Sequence, residues 1–192
     1  MAEDLMFQDE IRESVRRAYS AISAGGGESV ARRFYSEEDL AEVPSSAVAW
    51  ALSVGNPIRY AFLRPGETVL DVGSGGGIDT ILAARRVGPE GRSIGLDMLE
   101  EMCERGRRHA ADAGVDGWTE FVQGEMEDIP LPDNSIDVVV SNGVLNLSGR
   151  KSRAMAEIFR LLRPGGRICL ADLTVEGELP AEVANDQSAW AG

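Results

Sequence analysis

The stretch VLDVGSGGGID, residues 69–79, contains the strand, the loop and the helix start that decide the fold. Its first residues are mostly aliphatic, as a buried strand requires, and glycines follow at once. Glycines at the exit of a strand let the backbone approach a ligand closely, and the next helix N-terminus then points at that ligand. A tight turn without a ligand is the alternative, and the strand–loop–helix context favours a ligand site. The glycines are Gly73, Gly75, Gly76 and Gly77.

Strands and helices alternate along the chain from residue 66 onward. Apolar runs predict strands over 67–75, 91–98, 118–125, 135–142 and 167–173, and helical spacing predicts helices over 79–88, 99–114 and about 150–162. This alternation implies right-handed βαβ crossovers and a parallel sheet, and the most apolar strands fit a sheet that is covered on both faces. The predicted fold class is α/β: a Rossmann-like, mostly parallel sheet with helices on both faces.

The N-terminal part of the chain predicts helices only. Helical spacing predicts a helix over 8–23, glycines at 25–27 end it as a hinge, and Ser36 is a candidate N-cap with Asp39 three residues on. Further helices are expected over 45–52 and, starting at Pro57, over 58–63. We expect residues 1–62 to form a helical cap of the same domain and residues 63–192 to form the cofactor-binding core, truncated after strand five.

The composition of the chain indicates which partners it can bind and in which compartment of the cell it is expected. The 192 residues suit one domain, and the formal net charge of −13 opposes binding to nucleic acid or to anionic membranes. The acidic N-terminus lacks the apolar segment of a signal peptide, and no run approaches the ~18 apolar residues of a membrane span. Cys103 and Cys169 lie outside any CxxC or metal-like cluster, so we predict neither a disulfide framework nor a metal site. A cytoplasmic protein is expected.

Two acids beside the glycine loop bear on the nature of the ligand. Asp97 ends the second strand, where a carboxylate can accept hydrogen bonds from both hydroxyls of a ribose. The glycines read G-x-G-x-G instead of the dinucleotide fingerprint G-x-G-x-x-G. Asp71, just before them, would repel a pyrophosphate but attract an ammonium or a sulfonium. The charge therefore favours S-adenosylmethionine over a nicotinamide dinucleotide.

Four segments together resemble the successive motifs of class I S-adenosylmethionine-dependent methyltransferases. They are VLDVGSGGG, IGLDM, GEMEDIPLPDNSIDVVVSNGVLNL and EIFRLLRPGGRICLADL, within about residues 66–175. The resemblance implies S-adenosyl-L-methionine as cofactor and S-adenosyl-L-homocysteine as product. It places the methionine moiety on Asp71, Gly73, Ser74, Gly75 and Gly77, the ribose on Asp97, and the adenine on Met98, Glu125 and Met126. It also places Ser141 and Asn142 beside the methionine portion and the methyl group, and no catalytic residue is assigned.

The chain is more similar still to the arsenite methyltransferase branch, from about residue 33 to its end, through GNP at 55–57 and SNGVLNL at 141–147. That branch has cysteines before the glycine of the GNP segment, after the SN that ends strand four, and in its C-terminal part. As(III) is thiophilic, and thiolates are its ligands. This chain has Val54 and Gly143 at the first two positions, and we expect Cys103 and Cys169 to be packing thiols outside the site.

The missing metalloid-binding cysteines leave the acceptor open. The expected function is methyl transfer to an unidentified small-molecule acceptor. The alternatives are arsenite methylation, a non-catalytic cofactor-binding subunit that needs a partner chain, and a nicotinamide oxidoreductase. Tyr19, Tyr35, Trp50 and Tyr60 of the cap are candidates for lining an acceptor pocket, and His109 is expected at the surface.

Class I methyltransferases usually add a helix and an antiparallel hairpin after strand five. The segment that follows strand five here is short, so we expect the C-terminal hairpin to be missing. An exposed strand edge carries unpaired backbone groups. We therefore expect a homodimer or a partner chain to cover the edge of strand five.

Overall fold

The structure, a computed structural model, describes residues 2–21, 26–174 and 176–177, with side chains from residue 10 onward. Four helices come first: α1 (Ala2–Ser20), α2 (Gly27–Phe34), α3 (Glu37–Ala41) and α4 (Ser45–Val48). Strands and helices then alternate as β1 (Thr68–Val72), α5 (Ile78–Val87), β2 (Arg92–Asp97), α6 (Glu100–Asp112), β3 (Thr119–Gln123), β4 (Ile136–Asn142), α7 (Lys151–Leu161) and β5 (Leu162–Ala171).

The five strands form one sheet in the order β3-β2-β1-β4-β5, and every pairing between them is parallel. The predicted parallel α/β sheet is therefore confirmed. The chain winds outward from β1 in one direction and then from β4 in the other, so the strand order reverses between β1 and β4. Such a switch point opens a crevice at the carboxyl ends of the two strands, where ligands bind in open α/β sheets.

Helices cover both faces of the sheet, as the apolar strand sequences predict. On one face, Val69 and Val138 belong to a buried cluster that includes Ile81 of α5. On the other face, Leu70 belongs to a second cluster that includes Ile158 of α7. Adjacent residues of β1 belong to different clusters because successive side chains of a strand point to opposite faces of the sheet.

The N-terminal helices pack onto the same core. Tyr35 and Val48 are buried in the cluster that contains the helix α5. Helix α2 approaches the end of α4 so closely that a Cβ on Gly27 would overlap the carbonyl of Ala49. Ser36 caps α3 by accepting a hydrogen bond from the Asp39 backbone N–H at 3.1 Å, as predicted. The division of the chain at residue 62 stays a prediction.

The cap differs from the prediction in three places. Helix α2 was not expected, and α4 ends at Val48, short of residue 52. The helix predicted over 58–63 is only a turn, in which the N–H groups of Tyr60 and Ala61 donate to the carbonyl of Pro57. The chain leaves this turn because Arg167 of β5 binds the carbonyls of Ala61 and Phe62 at 2.7 Å each.

Part of the prediction falls on residues that are not described. The hinge at 25–27 begins at such a residue, and the expectation for the C-terminal hairpin concerns residues beyond 177, which also lie outside the described ranges. Among residues 2–21, 26–174 and 176–177, no helix is long and apolar enough to cross a membrane.

Candidate functional site

A cavity opens at the switch point between β1 and β4. Its walls come from the glycine loop after β1, the end of β2, residues 124–127, the loop after β4, helix α1 and residues 50–53. The predicted cofactor residues that line it are Asp71, Gly73, Ser74, Gly75, Asp97, Met98, Glu125, Met126 and Asn142. The fold thus brings these residues to one place from four separate segments of the chain.

Gly77 and Ser141 do not line the cavity. Gly77 begins α5 and packs against the ring of Phe121, where a Cβ would come within 2.9 Å. The Ser141 hydroxyl is buried between strands and donates to the carbonyl of Val72 at 2.8 Å. Both residues shape the ends of β1 and β4, and their predicted contacts with the cofactor stay predictions.

The glycine loop offers a ligand an open backbone surface. Gly75 has φ +51°, and a Cβ built on it would meet no atom within 4 Å. Gly73 faces the protein instead, because a Cβ there would overlap the side chain of Val144. The loop is therefore fixed on one side by packing and free on the side that faces the cavity.

Asp97 binds the glycine loop through its carboxylate and still has lone pairs that can accept hydrogen bonds from a ligand. Its Oδ2 accepts the Gly75 N–H at 2.9 Å, and its Oδ1 accepts the Leu99 N–H at 3.0 Å. Burial raises the pKa of the Asp97 carboxyl, although these backbone N–H groups oppose the rise. Each carboxylate oxygen has a further lone pair, so both can also accept from ribose hydroxyls.

Two further acids, Asp71 and Asp79, are buried beside the loop. Asp71, 2% exposed, accepts the Thr80 hydroxyl at 2.7 Å, and Asp79, 4% exposed, accepts the Tyr35 hydroxyl at 2.8 Å and the Asn142 amide at 2.9 Å. Burial raises the pKa of Asp79 to about 6. Burial also holds the pKa of Asp71 well above its ordinary value, and the negative charge of Asp79 is the second largest cause of that rise.

Neither of these carboxyls bonds to a lysine or arginine within the described ranges. A buried carboxylate without a cationic partner is costly, so a cationic group is the ligand that fits beside Asp71 and Asp79. The ammonium and sulfonium groups of S-adenosylmethionine meet this requirement, whereas a pyrophosphate would be repelled.

Asn142 connects the end of β4 to the cap. Its Oδ1 accepts the N–H groups of Val54 and Gly55 at 3.0 and 3.1 Å, and its Nδ2 donates to the Gly55 carbonyl at 2.9 Å. The same Nδ2 lies 3.0 Å from the Tyr35 hydroxyl. Asn142 therefore positions the segment around Val54 in addition to lining the cavity.

Val54 and Gly143 face each other. Gly143 has φ +75°, and a Cβ built on it would lie 3.2 Å from Val54 Cγ2. The two positions at which the sequence departs from the arsenite branch are thus one contact in the structure, filled by hydrocarbon. Neither Cys103, which is fully buried in the core, nor the half-buried Cys169 lines the cavity.

The side predicted to hold adenine lies under helix α1. Glu125 forms ion pairs with Arg12 at 3.1 Å and with Arg16 at 3.8 Å. Met98 and Met126 line the same part of the cavity. The two arginines are one helical turn apart, so the helical pattern of residues 8–23 could have indicated a common partner.

The cap lines the remaining part of the cavity. Tyr19 and Trp50 do so, together with Leu52, Val144 and Leu147. Tyr35 lies behind Asp79, and Tyr60 is 61% exposed and lies elsewhere. This part of the cavity is therefore mostly aromatic and aliphatic. Among the described residues, no group of His, Cys, Asp and Glu side chains could hold a metal ion.

His109 is not at the surface, so that prediction is wrong. It is 6% exposed, and its Nδ1 lies 2.7 Å from the carbonyl oxygen of Gly76. The buried face of α6 runs through Met102, Cys103, Gly106 and Ala110, and helical spacing puts residue 109 on that face. Asp79 and His109 are the residues of the site that the sequence reasoning missed.

Comparisons with known proteins agree with this geometry. The profile of the family described as "Methyltransferase domain" matches residues 63–192. An arsenite methyltransferase of Halobacterium salinarum is 36% identical over 207 residues, which cover 96% of this chain and 52% of that protein. A demethylmenaquinone methyltransferase of Symbiobacterium thermophilum is 41% identical over 114 residues, which cover 59% of this chain and 45% of that protein.

A crystal structure of similar fold is that of an arsenic (III) S-adenosylmethionine methyltransferase from Chlamydomonas reinhardtii. It has a TM-score of 0.69 and 37% identity, over 76% of this chain and 51% of that one. The chain spans about half the length of these relatives. S-Adenosylmethionine is the cofactor that the family implies, and the buried acids and the open loop fit it. The chain belongs to the methyltransferase-domain family, with the fold of class I S-adenosylmethionine-dependent methyltransferases.

Proposed function

We propose that the chain is an S-adenosylmethionine-dependent methyltransferase that acts on a small-molecule acceptor. The observation that carries the proposal is the cavity at the switch point. One side of it has the glycine loop with the buried acids Asp71 and Asp79, and the other side is lined mostly by aromatic and aliphatic side chains of the cap. A cationic methyl donor suits the first side and an acceptor with apolar surface suits the second.

The proposed cofactor contacts follow the predicted residues. Asp71, Gly73, Ser74 and Gly75 take the methionine moiety, and Gly77 sets the start of α5 behind them. Asp97 takes the ribose. Met98 and Met126 pack on the adenine, and Glu125 accepts from its amino group. Asn142 and Ser141 lie beside the methionine portion and the methyl group.

When bound, the cofactor supplies an electrophilic methyl group on a sulfonium. The contribution of the chain is to align the acceptor with that methyl group and to exclude water. Asn142 fixes the cap segment at Val54 relative to the end of β4, and Trp50 and Tyr19 close the cavity from the cap. No general base is assigned among the described residues.

Isothermal calorimetry with S-adenosylhomocysteine and with NAD tests the cofactor. We expect micromolar binding of S-adenosylhomocysteine and none of NAD. Tighter binding of NAD would refute the proposal. Asp97→Asn should weaken binding of S-adenosylhomocysteine about tenfold, because a ribose hydroxyl then loses a charge-assisted bond. Asp112→Asn, on the exposed end of α6, is the matched control.

Arsenite is the second candidate acceptor, favoured by the similarity to two proteins that are named for arsenic methylation. The hydrocarbon contact between Val54 and Gly143 stands against it, because As(III) requires soft ligands. The similarity to a quinone-pathway methyltransferase favours an apolar aromatic acceptor instead. An assay with radiolabelled methyl donor should compare arsenite plus glutathione with a demethylmenaquinol analogue. Turnover of arsenite would overturn our preference.

The alternative function, a non-catalytic cofactor-binding subunit, requires a partner chain. The same experiment tests this alternative and whether another chain covers the edge strand β5. Within the described residues, β5 pairs only with β4, and its Ile168 and Leu170 are exposed. We propose that a second copy of the chain or a partner chain covers this edge. Light scattering coupled to size exclusion measures the oligomeric state, and a monomer that methylates an acceptor would contradict the proposal. A cytoplasmic location also stays a proposal, supported by the two free cysteines.

A further inference from the structure

We infer that Asp71 and Asp79 act as one charge site for the ligand: the pair holds a proton in the ligand-free protein and releases it to solvent when a cationic ligand binds. The inference deepens the proposed function and rests on it for the identity of the ligand. It adds Asp79 to the binding site and predicts a measurable linkage between protons and cofactor.

The first support is the chemistry of the groups that hold the two carboxyls. Every hydrogen-bond partner that the structure gives them is neutral: the hydroxyls of Thr80 and Tyr35 and the amide of Asn142. Neutral donors offset only part of the cost of burying one carboxylate, and a second carboxylate beside it adds repulsion. The hydrogen bonds among the described residues therefore give the two carboxyls no cationic partner that would keep both of them charged.

The second support is the charge of the side chains that surround Asp71 and Asp79. The charged groups that act on the pair are Asp39 of α3 and Asp97 of β2, and both are acidic. Asp39 is already paired with Arg86 at 2.7 Å. The remaining titratable neighbours are the Tyr35 phenol and the Cys169 thiol of β5, whose pKa values are raised in part by Asp79. None of these neighbours supplies a positive charge; the cationic side chains that line the same cavity are Arg12, which pairs with Glu125, and Arg150.

The third support points to a ligand independently of the acids. Ser74 is 6% exposed and lines the same cavity, yet its hydroxyl has no hydrogen-bond partner among the described residues. A buried hydroxyl without a partner costs free energy. Next to it, the backbone at Gly75 is open to the cavity. The open backbone at Gly75 fits a site that is completed by a bound polar molecule, whereas the Ser74 hydroxyl oxygen is itself buried and faces Gly95 of β2.

The proton balance of the binding step is simple. In the ligand-free protein one O–H bond belongs to the pair, and the two carboxyls titrate together. On binding, that O–H bond breaks, the proton passes to the buffer, and the carboxylate pairs with the ammonium and sulfonium of the ligand. Burial raises the pKa of Asp79 to about 6 and raises that of Asp71 as well, so the release is expected to be largest in mildly acidic solution.

Calorimetry in buffers of different ionisation enthalpy measures the number of protons released. The titrations use the whole chain between about pH 5 and 6.5, below the range in which the α-amino group of the ligand itself titrates. We expect a release of about half a proton or more with S-adenosylmethionine, and an apparent Kd that rises up to ~10-fold for each pH unit lost. 5′-Methylthioadenosine, which keeps the adenosine but has no cationic group, should bind without releasing a proton.

Variants then assign the effect. Asp79→Asn should reduce the proton release, and Asp112→Asn, an exposed acid on α6, should leave it at the wild-type value. If Asp79→Asn fails to fold, the wild-type titrations with the two ligands decide alone. Binding of S-adenosylmethionine without proton release would overturn the inference and leave the proposed function standing. Absence of binding at every pH would overturn both.

Discussion

His109 holds the glycine loop from outside the cavity, through the 2.7 Å contact between its Nδ1 and the carbonyl oxygen of Gly76. Trp50 packs on the same glycine, where a Cβ would lie 3.0 Å from the Trp50 Cβ. Arg105, one turn before His109, stacks over the Trp50 ring at 3.6 Å. Helix α6 thus fixes the loop from outside the cavity, and Trp50 of the cap, which also lines the cavity, packs on the same loop.

The His109 contact should affect cofactor binding. In His109→Asn the amide Nδ2 can replace Nδ1, and we expect binding of S-adenosylhomocysteine within about twofold of wild type, since the hydrogen bond remains. In His109→Gln the amide is one methylene too far, and Kd should rise by about 3–10-fold, the value of one hydrogen bond. Calorimetry measures both, and thermal unfolding checks that both fold. Equal affinities for the two variants would contradict this role.

Replacing Gly143 should cost stability for two reasons. Gly143→Ala adds strain at φ +75° and a Cβ 3.2 Å from Val54 Cγ2, so we expect a loss of about 2 kcal/mol in urea unfolding. Gly165→Ala, at φ +84° with open space around its Cβ, isolates the strain and should cost about 1 kcal/mol. The double variant with Val54→Ala should recover part of the difference. If the two single variants lose the same amount, the contact with Val54 has no effect.

Removing the Asn142 amide should detach the cap segment at Val54. Asn142→Ala leaves the N–H groups of Val54 and Gly55 without their acceptor, and we expect a loss of about 2–3 kcal/mol in unfolding free energy. Asn146→Ala, at an exposed position of the same loop, should cost less than about 1 kcal/mol. Hydrogen exchange should show faster exchange at residues 53–56 in the first variant only. Unchanged exchange there would refute the positioning role.

The buried acid Asp79 should make the ligand-free protein less stable as pH rises. Its folded pKa, about 6, exceeds its ordinary value of 3.8, so the folded state binds more protons between these values, and this contribution is lost as pH rises through about 6. The stability of wild type relative to Asp79→Asn should therefore fall from pH 4.5 to 7.5, by at most about 3 kcal/mol. Urea unfolding at several pH values measures the difference.

Glu67 provides a control of opposite sign. Its pKa is lowered, chiefly by the hydrogen bond from Arg167, so its contribution is present above its ordinary pKa and lost as pH falls. The advantage of wild type over Glu67→Gln should shrink toward pH 4. A difference between wild type and Asp79→Asn that does not change with pH would show that Asp79 is not perturbed.

The ion pairs of Glu125 should hold α1 over the cavity. Glu125→Gln removes the charge that attracts Arg12 and Arg16, and these half-exposed pairs are worth about 0.5–1 kcal/mol. We expect amide exchange in residues 10–20 to become about 2–5-fold faster, because losing the free energy of the ion pairs makes local opening of α1 more frequent by that factor. Arg17→Ala is the control, because Arg17 lies on the same helix and, among the described residues, its side chain bonds to the Glu13 carbonyl and not to Glu125. Equal amide exchange rates in both variants would contradict the proposal that Glu125 holds α1 in place.

The sequence indicated the core of the fold because its signals are local. The apolar run before Gly73, the glycines themselves and the stop at Gly88 specify β1, the loop and α5 from neighbouring residues alone. The alternation of such units implies a parallel sheet, and the carboxyl ends of parallel strands meet at one edge. Asp71 and Asp97 could therefore be assigned to one site before any coordinates were known.

The cap was harder to predict because its helices depend on distant partners. Helix α2 has few apolar residues of its own and is held by packing of Gly27 against the end of α4. Residues 58–63 have helical spacing, yet Arg167 binds the carbonyls of Ala61 and Phe62 from more than 100 residues away. Local propensity was overridden by contacts of the tertiary structure.

The sequence by itself determined the α/β fold, the glycine loop and the absence of cysteine at positions 54 and 143. Only the tertiary structure decided that Val54 and Gly143 touch, that His109 holds the loop, and that Asp79 is buried beside Asp71. The physical reason is separation along the chain: Tyr35, Asp79 and Asn142 bond to one another across 44 to 107 residues. No local pattern encodes such a meeting, because burial and charge at each residue are set by neighbours that folding alone brings together.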